Sequence, residues 1–580
     1  MTRMHAVKVR DKSEIKTARI NVIGVLFLLL AGIVIFRLFI LQVVKHSFFE
    51  RLATGQHGIL EELIPSRGII YSQDKDGNLF AVAENKEKYL LYAVPSMIES
   101  ATTTLENISE QIELSDEEKE KMLGQLSKSR DPYEPLRHEL HEEEKNKIEA
   151  LEIQGIHFQP ERKRFYAEGS TFSHLTGFLG FKEDERVGQY GLEEYFEEEL
   201  KGEAGVLKSE KDPAGRLIGV GNFDIESAKD GANIYLTIDR LVQFKVCDIL
   251  KRGVEKYRAN GGTIIVERSS TGELLALCSQ PSFDPNDYSQ VESINIYSNP
   301  ALSEVYEPGS IFKAITMAAA LDTNSVKPDS TYFDEGILVF GKDSITNAEN
   351  KKYGEVTMTQ ILEDSINTGA VFAGQEVGRV DMKKYIENFG FGDKTYIDLP
   401  GEVYGDVSSL NRKSDIYLAT ASFGQGISVT PLQMTSAFSA IANGGMLYKP
   451  YVVDKVINND IEEITYPQEV RRVISSQTSN TLKAMLVAVV KNAHGAMARV
   501  DGYNVGGKTG TAQIPGSRGG YINAYNHSFV GFAPVSNTQF TVFVLLKRPT
   551  RGRFSATTAA PTFAEVMSFL LNYYEIPTEY

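Results

Sequence analysis

The stretch EPGSIFKAIT, residues 307–316, decides how the second half of the chain is interpreted, because it places a lysine in an apolar helix that continues as MAAALD. Lys313 follows Ser310 by three positions, so on a helix the two side chains share one face. Lysine is rarely buried without a partner. If this helix lies in a core, the amine of Lys313 must either reach water or have a chemical task.

A chemical task is physically reasonable for these two residues. Pro308 and Gly309 mark the start of the helix, where the helix dipole favours a developing negative charge on Ser310. A desolvated lysine loses its proton more easily, and a neutral amine can take the proton of a serine hydroxyl. The Ser-x-x-Lys spacing is common by chance, however. Taken alone, it is better explained by a helix cap and a lysine that reaches solvent.

Two further short motifs follow along the chain, SIN at residues 365–367 and KTGT at residues 508–511. Ser-x-x-Lys, Ser-x-Asn and Lys-Thr-Gly in this order resemble the signature set of penicillin-binding proteins and serine β-lactamases. Each motif is weak by itself, whereas the ordered triple is specific. The combination favours the chemical task for Lys313.

The resemblance implies a role for each residue of the first two motifs. Ser310 would be the nucleophile and Lys313 its general base. The backbone N–H groups of Ser310 and Thr511 would form the oxyanion hole, worth about 3 to 4 kcal/mol per donor. Ser365 would relay protons to and from the reacting amines, and Asn367 would hold Lys313 and the substrate amide. For Ser365 and Asn367, a role in helix packing is the alternative.

The third motif lies in a glycine-rich strand, GGKTGT, and glycine in a strand marks a place where another backbone approaches closely. An extended peptide substrate could add there as an extra strand. Lys508, which we count among the catalytic residues, and Thr509 would then hold its terminal carboxylate. Gly510 would let the ligand pass, and Thr511 completes the predicted substrate-binding residues.

The resemblance extends over almost the whole chain. IPSRGIIYSQDKDGNLFA and GQYGLEEYFEEELKGEAG resemble the non-catalytic pedestal of class B penicillin-binding proteins, and ASFGQGISVTPLQMTSAFSAIANGG resembles their transpeptidase domain. The resemblance implies an α+β fold, with an antiparallel sheet flanked by helices and an elongated α+β pedestal. Helices grouped between early and late strands independently favour a sheet built from both ends of the domain. We place the pedestal at residues 45–240 and the transpeptidase domain at residues 241–580.

Residues 20–44, INVIGVLFLLLAGIVIFRLFILQVV, are long and apolar enough to cross a membrane. A cleaved signal peptide would have a shorter apolar region and a small-residue cleavage site, which LQVVKHSFFE lacks. Six basic residues against two acidic ones in residues 1–19 predict a cytoplasmic tail and an extracytoplasmic catalytic domain. Arg37 is expected to reach the membrane interface, with contact to a partner helix as the less favoured alternative.

Composition excludes several other classes. The net charge of −16 over 580 residues argues against a nucleic-acid partner. Cys247 and Cys278 are too few for a disulfide scaffold, and two buried thiols are favoured over a single disulfide. His138 and His141 in RHELHEEE are three apart, which is not the zinc-protease spacing, and a solvated helix face is the better interpretation. No metal or organic cofactor is implied.

By resemblance, the chain is a membrane-anchored peptidoglycan D,D-transpeptidase. Ser310 would attack the D-Ala-D-Ala bond of a stem peptide, and an amine of a neighbouring strand would resolve the acyl-enzyme as a cross-link. β-Lactams would acylate the same serine. The stretch from residue 334 to 374 resembles division-type, FtsI-like members, and the partners implied are a SEDS-family glycan polymerase and other membrane proteins of the divisome.

Three alternatives remain open from sequence. The chain could be an elongation-type class B transpeptidase. It could be a non-turnover penicillin-binding sensor or scaffold, although the short cytoplasmic tail holds no signalling domain. It could also be a D,D-carboxypeptidase or β-lactamase, which would require water to reach the acyl-enzyme.

Overall fold

The computed structural model of the protein describes residues 12–45, 58–183, 185–210, 224–459, 461–492, 495–516 and 519–580. Its strands are β1 (Gly58–Leu63), β2 (Ile70–Gln73), β3 (Leu79–Ala93), β4 (Glu134–Leu140), β5 (Ile156–Phe165), β6 (Phe178–Lys182), β7 (Glu185–Gln189), β8 (Gly205–Glu210), β9 (Asp224–Glu226), β10 (Asn233–Asp239), β11 (Gly261–Arg268), β12 (Leu274–Gln280), β13 (Thr331–Asp334), β14 (Ile337–Phe340), β15 (Asp343–Thr346), β16 (Gly354–Thr357), β17 (Met446–Tyr448), β18 (Val453–Asn458), β19 (Ile461–Ile464), β20 (Glu469–Arg472), β21 (Gly506–Pro515), β22 (Tyr521–Ala533) and β23 (Phe540–Lys547). Its α-helices are α1 (Lys12–Phe39), α2 (Ala101–Ser109), α3 (Asp116–Leu126), α4 (Glu142–Glu149), α5 (Ser173–Thr176), α6 (Gly191–Tyr195), α7 (Glu197–Lys201), α8 (Arg240–Tyr257), α9 (Pro300–Ser303), α10 (Lys313–Asp322), α11 (Met358–Glu363), α12 (Asn367–Val377), α13 (Arg379–Asn388), α14 (Asp415–Ala421), α15 (Pro431–Ala442), α16 (Ser476–Asn492) and α17 (Ala559–Tyr573).

The chain divides into two compact units. The first contains α1 and a three-stranded antiparallel sheet of β1, β8 and β9. Within α1 and the turn that follows it, residues Ile23–Val43 are long and apolar enough to cross a membrane once. Residues 1–11 of the predicted tail (residues 1–19) lie outside the described residues. The second unit, Ser66–Gly202 together with Asp230–Tyr580, holds the two larger sheets and the site described below.

The predicted transpeptidase domain, residues 241–580 and called the catalytic half below, is organised around a five-stranded antiparallel sheet in the order β12-β11-β23-β22-β21. Alternate residues of β11 enter different cores: Ile264 packs with residues of α8 and α17, whereas Ile265 packs with residues of α10 and α15. Because helices cover both faces, the strands read as continuous apolar runs rather than alternating ones. The predicted α+β fold, with its sheet built from both ends of the domain, is confirmed.

The pedestal sheet crosses the sequence boundary that we placed at residue 240. It has seven strands in the order β19-β18-β10-β2-β3-β4, with β5 paired to β3. Strand β10 pairs with β2 on one side and with β18 on the other, although β18 belongs to the second half of the sequence. One sheet therefore contains strands from both sides of residue 240.

A buried charged cluster holds the pedestal together. Glu193 is fully buried, and its two carboxylate oxygens accept hydrogen bonds from Arg164 Nε at 2.7 Å and Arg67 Nε at 2.6 Å. Tyr166 also donates its hydroxyl proton to Glu193, at 3.3 Å. Burial alone would raise the pKa of Glu193, but the two guanidinium groups hold it below its ordinary value.

The structure corrects two expectations from sequence. Cys247 of α8 and Cys278 of β12 form a disulfide with Cα atoms 5.4 Å apart, where two buried thiols were predicted. Packing of α8 against β12 brings the two cysteines together, and a separation of 31 residues carries no signal of that packing. His138 lies on β4 rather than on a surface helix, and its Nδ1 contacts Glu161 at 2.7 Å.

Candidate active site

Ser310 lies in a short 3₁₀ turn, Gly309–Phe312, that leads directly into the buried helix α10. Gly309 has φ of +57°, and a Cβ there would come within 2.9 Å of Ala512 Cβ on β21. Both the backbone conformation and the close approach therefore require glycine. The result is a half-buried serine at the start of a buried helix, next to the KTGT strand.

Lys313 does not reach water, because its side chain is almost completely buried at 1% exposure. Its Nζ donates to the backbone carbonyl of Ser365, to Ser365 Oγ at 3.2 Å and to Asn367 Oδ1 at 2.8 Å. Burial, reinforced by repulsion from Lys508, lowers the pKa of Lys313 well below that of a free lysine. The structure thus brings together the first two motifs through this one amine.

The SIN motif is held in an unusual backbone conformation. Ser365 has φ of +56° in the turn between α11 and α12, a left-handed conformation that costs a non-glycine residue about 1 to 3 kcal/mol. Asn367 is the first residue of α12, and while its Oδ1 accepts from Lys313, its Nδ2 donates to the carbonyl of Thr346 at 2.9 Å. Both ends of the Asn367 amide are therefore engaged by protein groups.

Lys508 completes the cluster. Its side chain is fully buried, and its Nζ donates to Ser365 Oγ at 3.0 Å. Burial lowers the pKa of Lys508 to about 7. The hydroxyl of Ser365 therefore lies between the amines of Lys313 and Lys508. The sequence predicted a carboxylate-holding role for Lys508 and did not reveal this contact, because it depends on how β21 packs against the SIN turn.

The rest of the KTGT strand approaches the Ser310 turn closely. A Cβ on Gly510 would lie 2.4 Å from Ser528 Oγ and 3.0 Å from Ile311 Cγ2, so the missing side chain makes room for protein atoms. Thr509 is 6% exposed. Thr511 exchanges hydrogen bonds with Ser555, donating from Oγ1 at 3.0 Å and accepting from the Ser555 N–H at 3.1 Å. Strand β21 forms the edge of the sheet, which leaves its outer side available for an added strand.

Sequence reasoning missed several polar residues around this site. Glu307, three positions before Ser310, accepts from the Gly426 N–H at 3.0 Å and from the Tyr521 hydroxyl at 2.9 Å, and burial raises its pKa. Asn347 accepts from the N–H groups at the start of α12. Neither residue belongs to one of the three motifs, and only tertiary structure shows the partners of Glu307 and brings Asn347 to the site.

Comparisons with known proteins agree with this geometry. Residues 262–568 match the family model described as the penicillin-binding protein transpeptidase domain, and residues 62–236 match the penicillin-binding protein dimerisation domain. Stage V sporulation protein D of Bacillus subtilis (strain 168) is 34% identical over 556 residues, covering 93% of this chain and 84% of the relative. Peptidoglycan D,D-transpeptidase FtsI of Escherichia coli (strain K12) is 31% identical over 427 residues, covering 73% of this chain and 69% of the relative.

A solved structure shows the same fold. Penicillin-binding protein 2X from Streptococcus thermophilus aligns with a TM-score of 0.76 over 90% of this chain and 81% of its own, at 22% identity. The chain belongs to the penicillin-binding protein transpeptidase family, in the class B form that carries a dimerisation domain ahead of the catalytic domain. It is therefore an enzyme of the serine acyl-transferase class.

Proposed function

We propose that the protein is a peptidoglycan D,D-transpeptidase that cross-links stem peptides through an acyl-enzyme on Ser310. The observation that carries this proposal is the burial of Lys313 among neutral acceptors, which lowers its pKa and favours the neutral amine that a general base requires. Lys313 takes the Ser310 hydroxyl proton while Oγ attacks the carbonyl of the D-Ala-D-Ala bond. The carbon–nitrogen bond then breaks, and the terminal D-Ala leaves as an amine.

The remaining motif residues serve the two half-reactions. Ser365 Oγ, held between Lys313 and Lys508, passes a proton to the leaving amine and later removes one from the acceptor amine that attacks the ester. The N–H groups of Ser310 and Thr511 stabilise the tetrahedral oxyanion. The donor peptide pairs with the free edge of β21, where Lys508 and Thr509 hold its terminal carboxylate and Gly510 and Thr511 complete the substrate-binding residues.

Covalent labelling tests this assignment. The full-length protein in detergent is treated with a fluorescent penicillin and, separately, with a donor-ester analogue, and mass spectrometry locates the adduct. We expect an adduct on Ser310, none in Ser310→Ala, and normal labelling in Ser109→Ala, which changes a serine at the end of α2. Release of the acyl group by an added amine supports transpeptidation. Adduct in Ser310→Ala, or rapid release by water alone, contradicts it.

We also propose a single-pass topology with residues 1–19 in the cytoplasm and the pedestal (45–240) and transpeptidase (241–580) domains outside. The basic residues ahead of the apolar helix support this orientation. The disulfide between Cys247 and Cys278 also supports it, because disulfides persist in oxidising compartments. Cysteine-accessibility labelling on either side of the apolar helix tests the orientation.

For the cellular role we propose septal wall synthesis with a SEDS-family polymerase and divisome proteins as partners, supported by the similarity to FtsI. The name of the Bacillus subtilis relative raises a second candidate, a role in sporulation. Depletion distinguishes the two. Filamentous growing cells support division, whereas normal growth with defective spores supports sporulation, and rounded cells would contradict both.

Co-purification of the polymerase, compared between wild type and Arg37→Ala, tests whether the apolar helix binds it.

A further inference from the structure

A buried polar pair lies behind the SIN motif. Asn347, 4% exposed, accepts from the N–H of Asn367 at 2.9 Å and from the N–H of Thr368 at 3.1 Å through its Oδ1. These are the first two residues of α12, whose neighbouring residue Ile366 provides no side-chain cap. Asn347 therefore caps the start of α12, next to the SIN motif, from a position 20 residues away in sequence.

Asp334 fixes the orientation of Asn347 in turn. This carboxylate is 1% exposed, and its Oδ2 accepts from Asn347 Nδ2 at 2.8 Å and from the Tyr353 N–H at 2.9 Å. Its Oδ1 accepts from the Thr368 hydroxyl at 2.6 Å and from the Gly336 N–H at 2.9 Å. With the donor end of Asn347 tied to Asp334, the acceptor end must face Asn367.

The same segment also holds the side chain of Asn367. Thr346, adjacent to Asn347, accepts from Asn367 Nδ2 at 2.9 Å, while Asn367 Oδ1 accepts from Lys313. The backbone N–H and the side-chain amide of Asn367 are thus bound by neighbouring residues of one hairpin. Any shift of Asn347 therefore moves Asn367 Oδ1, which accepts from Lys313. It also moves Ser365, which lies two residues before Asn367.

We propose that Asp334 and Asn347 are positioning residues for acylation. They act through Asn367 and Ser365 to keep the amine of Lys313 where it can take the Ser310 proton. This inference rests on the proposed function of Ser310 and Lys313. The contrasting possibility is that the pair only stabilises the fold around α12, in which case its loss would lower the melting temperature without a specific effect on the reaction.

An isosteric swap separates these possibilities. Asn347→Asp places two carboxylates side by side, and Asp334→Asn removes the charge that orients Asn347. The double variant restores one donor and one acceptor across the pair, but its amide at position 334 faces the Tyr353 N–H and its carboxylate at position 347 faces the Lys351 carbonyl. Full-length variants are compared in the rate of acylation by a fluorescent penicillin as a function of pH, and in Tm. The control is Asn299→Asp, because Asn299 is also a buried cap, on the short helix α9, and donates to His174 O rather than to the site.

We expect each single variant to acylate on the order of 10- to 100-fold more slowly, because small displacements of a reacting group have effects of this size. In Asn347→Asp the added negative charge favours protonated Lys313, so the acid limb of the pH profile moves to higher pH. Because the pair is again one donor and one acceptor, the swap should acylate faster than either single variant and return the acid limb toward that of the wild type. Asn299→Asp should lower Tm without moving the acid limb.

Two results would overturn the inference: acylation of both single variants at the wild-type rate, or a loss that follows Tm alone, as in the control, with no recovery in the swap. Failure of the proposed function looks different. In that case the wild-type protein itself carries no adduct on Ser310, and the comparison of variants has no reaction to measure.

Discussion

The molecule contains two buried clusters of cations that are built in opposite ways. In the pedestal, Arg67 and Arg164 face a fully buried carboxylate, Glu193, and every charge has an opposite charge beside it. In the catalytic half, the amines of Lys313 and Lys508 donate to hydroxyl, carbonyl and amide oxygens among the residues that the structure describes. A paired cation keeps its proton, whereas an unpaired buried amine loses it. We therefore expect loss of the first arrangement to affect folding and loss of the second to affect the proposed acylation.

The largest effect is expected when the unpaired amine is removed. Lys313→Met keeps the length of the side chain and should slow acylation by about 100- to 10,000-fold, the usual contribution of a general base. Because the substitution removes the cost of burying the amine but leaves the acceptors on Ser365 and Asn367 without their donor, Tm should change little. Labelling with a fluorescent penicillin and thermal unfolding measure the two effects. Lys483→Met, on α16, is the control. If Lys313→Met were labelled as fast as Lys483→Met, Lys313 would be excluded as the base.

The paired cluster should respond in the reverse manner. Glu193→Gln leaves Arg164 buried without a carboxylate, while Arg67 keeps its ion pair with Glu197 at 2.6 Å, and we expect it to lower the free energy of unfolding by about 3 to 5 kcal/mol. Acylation per folded molecule should remain unchanged. Denaturant unfolding measures the loss, and Glu149→Gln, which breaks an exposed ion pair with Lys145, is the control. A stable Glu193→Gln protein would mean that the cluster contributes little to folding.

The pH dependence of stability sharpens the contrast. The pKa of Lys508 is about 7 in the folded protein and about 10.4 in an unfolded chain, so the unfolded chain binds one more proton between these values. The free energy of unfolding should therefore rise with pH across this window, by about 1.4 kcal/mol per pH unit for this group. Lys508→Met should remove that slope. An unchanged slope in Lys508→Met would contradict the low pKa of Lys508.

Glu193, with its lowered pKa, contributes stability above about pH 4.3 that is lost as the pH falls.

The smallest effect is expected at an exposed pair. Arg553 Nη2 contacts Glu349 Oε1 at 2.7 Å, with the two side chains 75% and 39% exposed. Solvent screens such a pair, so Glu349→Gln should leave Tm and the acylation rate unchanged, in contrast to both buried clusters. Thermal unfolding in low and high salt measures this. A marked loss of Tm at low salt would show that the pair couples its two loops more strongly than its exposure indicates.

Sequence alone predicted the fold class and the residues that meet around Lys313. Ser-x-x-Lys, Ser-x-Asn and Lys-Thr-Gly can be recognised from residue type, spacing and order along the chain. Sequence did not predict the disulfide, strand β4 or the support of the SIN turn by Asn347. These depend on contacts between distant segments, and an asparagine or a cysteine in a loop does not show in advance what will pack against it.

The pairing of β10 with β18 has a consequence for how the protein is made. Leu236 meets Val453 in that pairing, about 200 residues later in the chain. During synthesis the pedestal sheet therefore cannot be completed until most of the catalytic half has been translated. Closing so long a loop also slows folding relative to local contacts. The incomplete sheet presents an open strand edge throughout that interval, so the nascent chain is exposed to mispairing until its last third arrives.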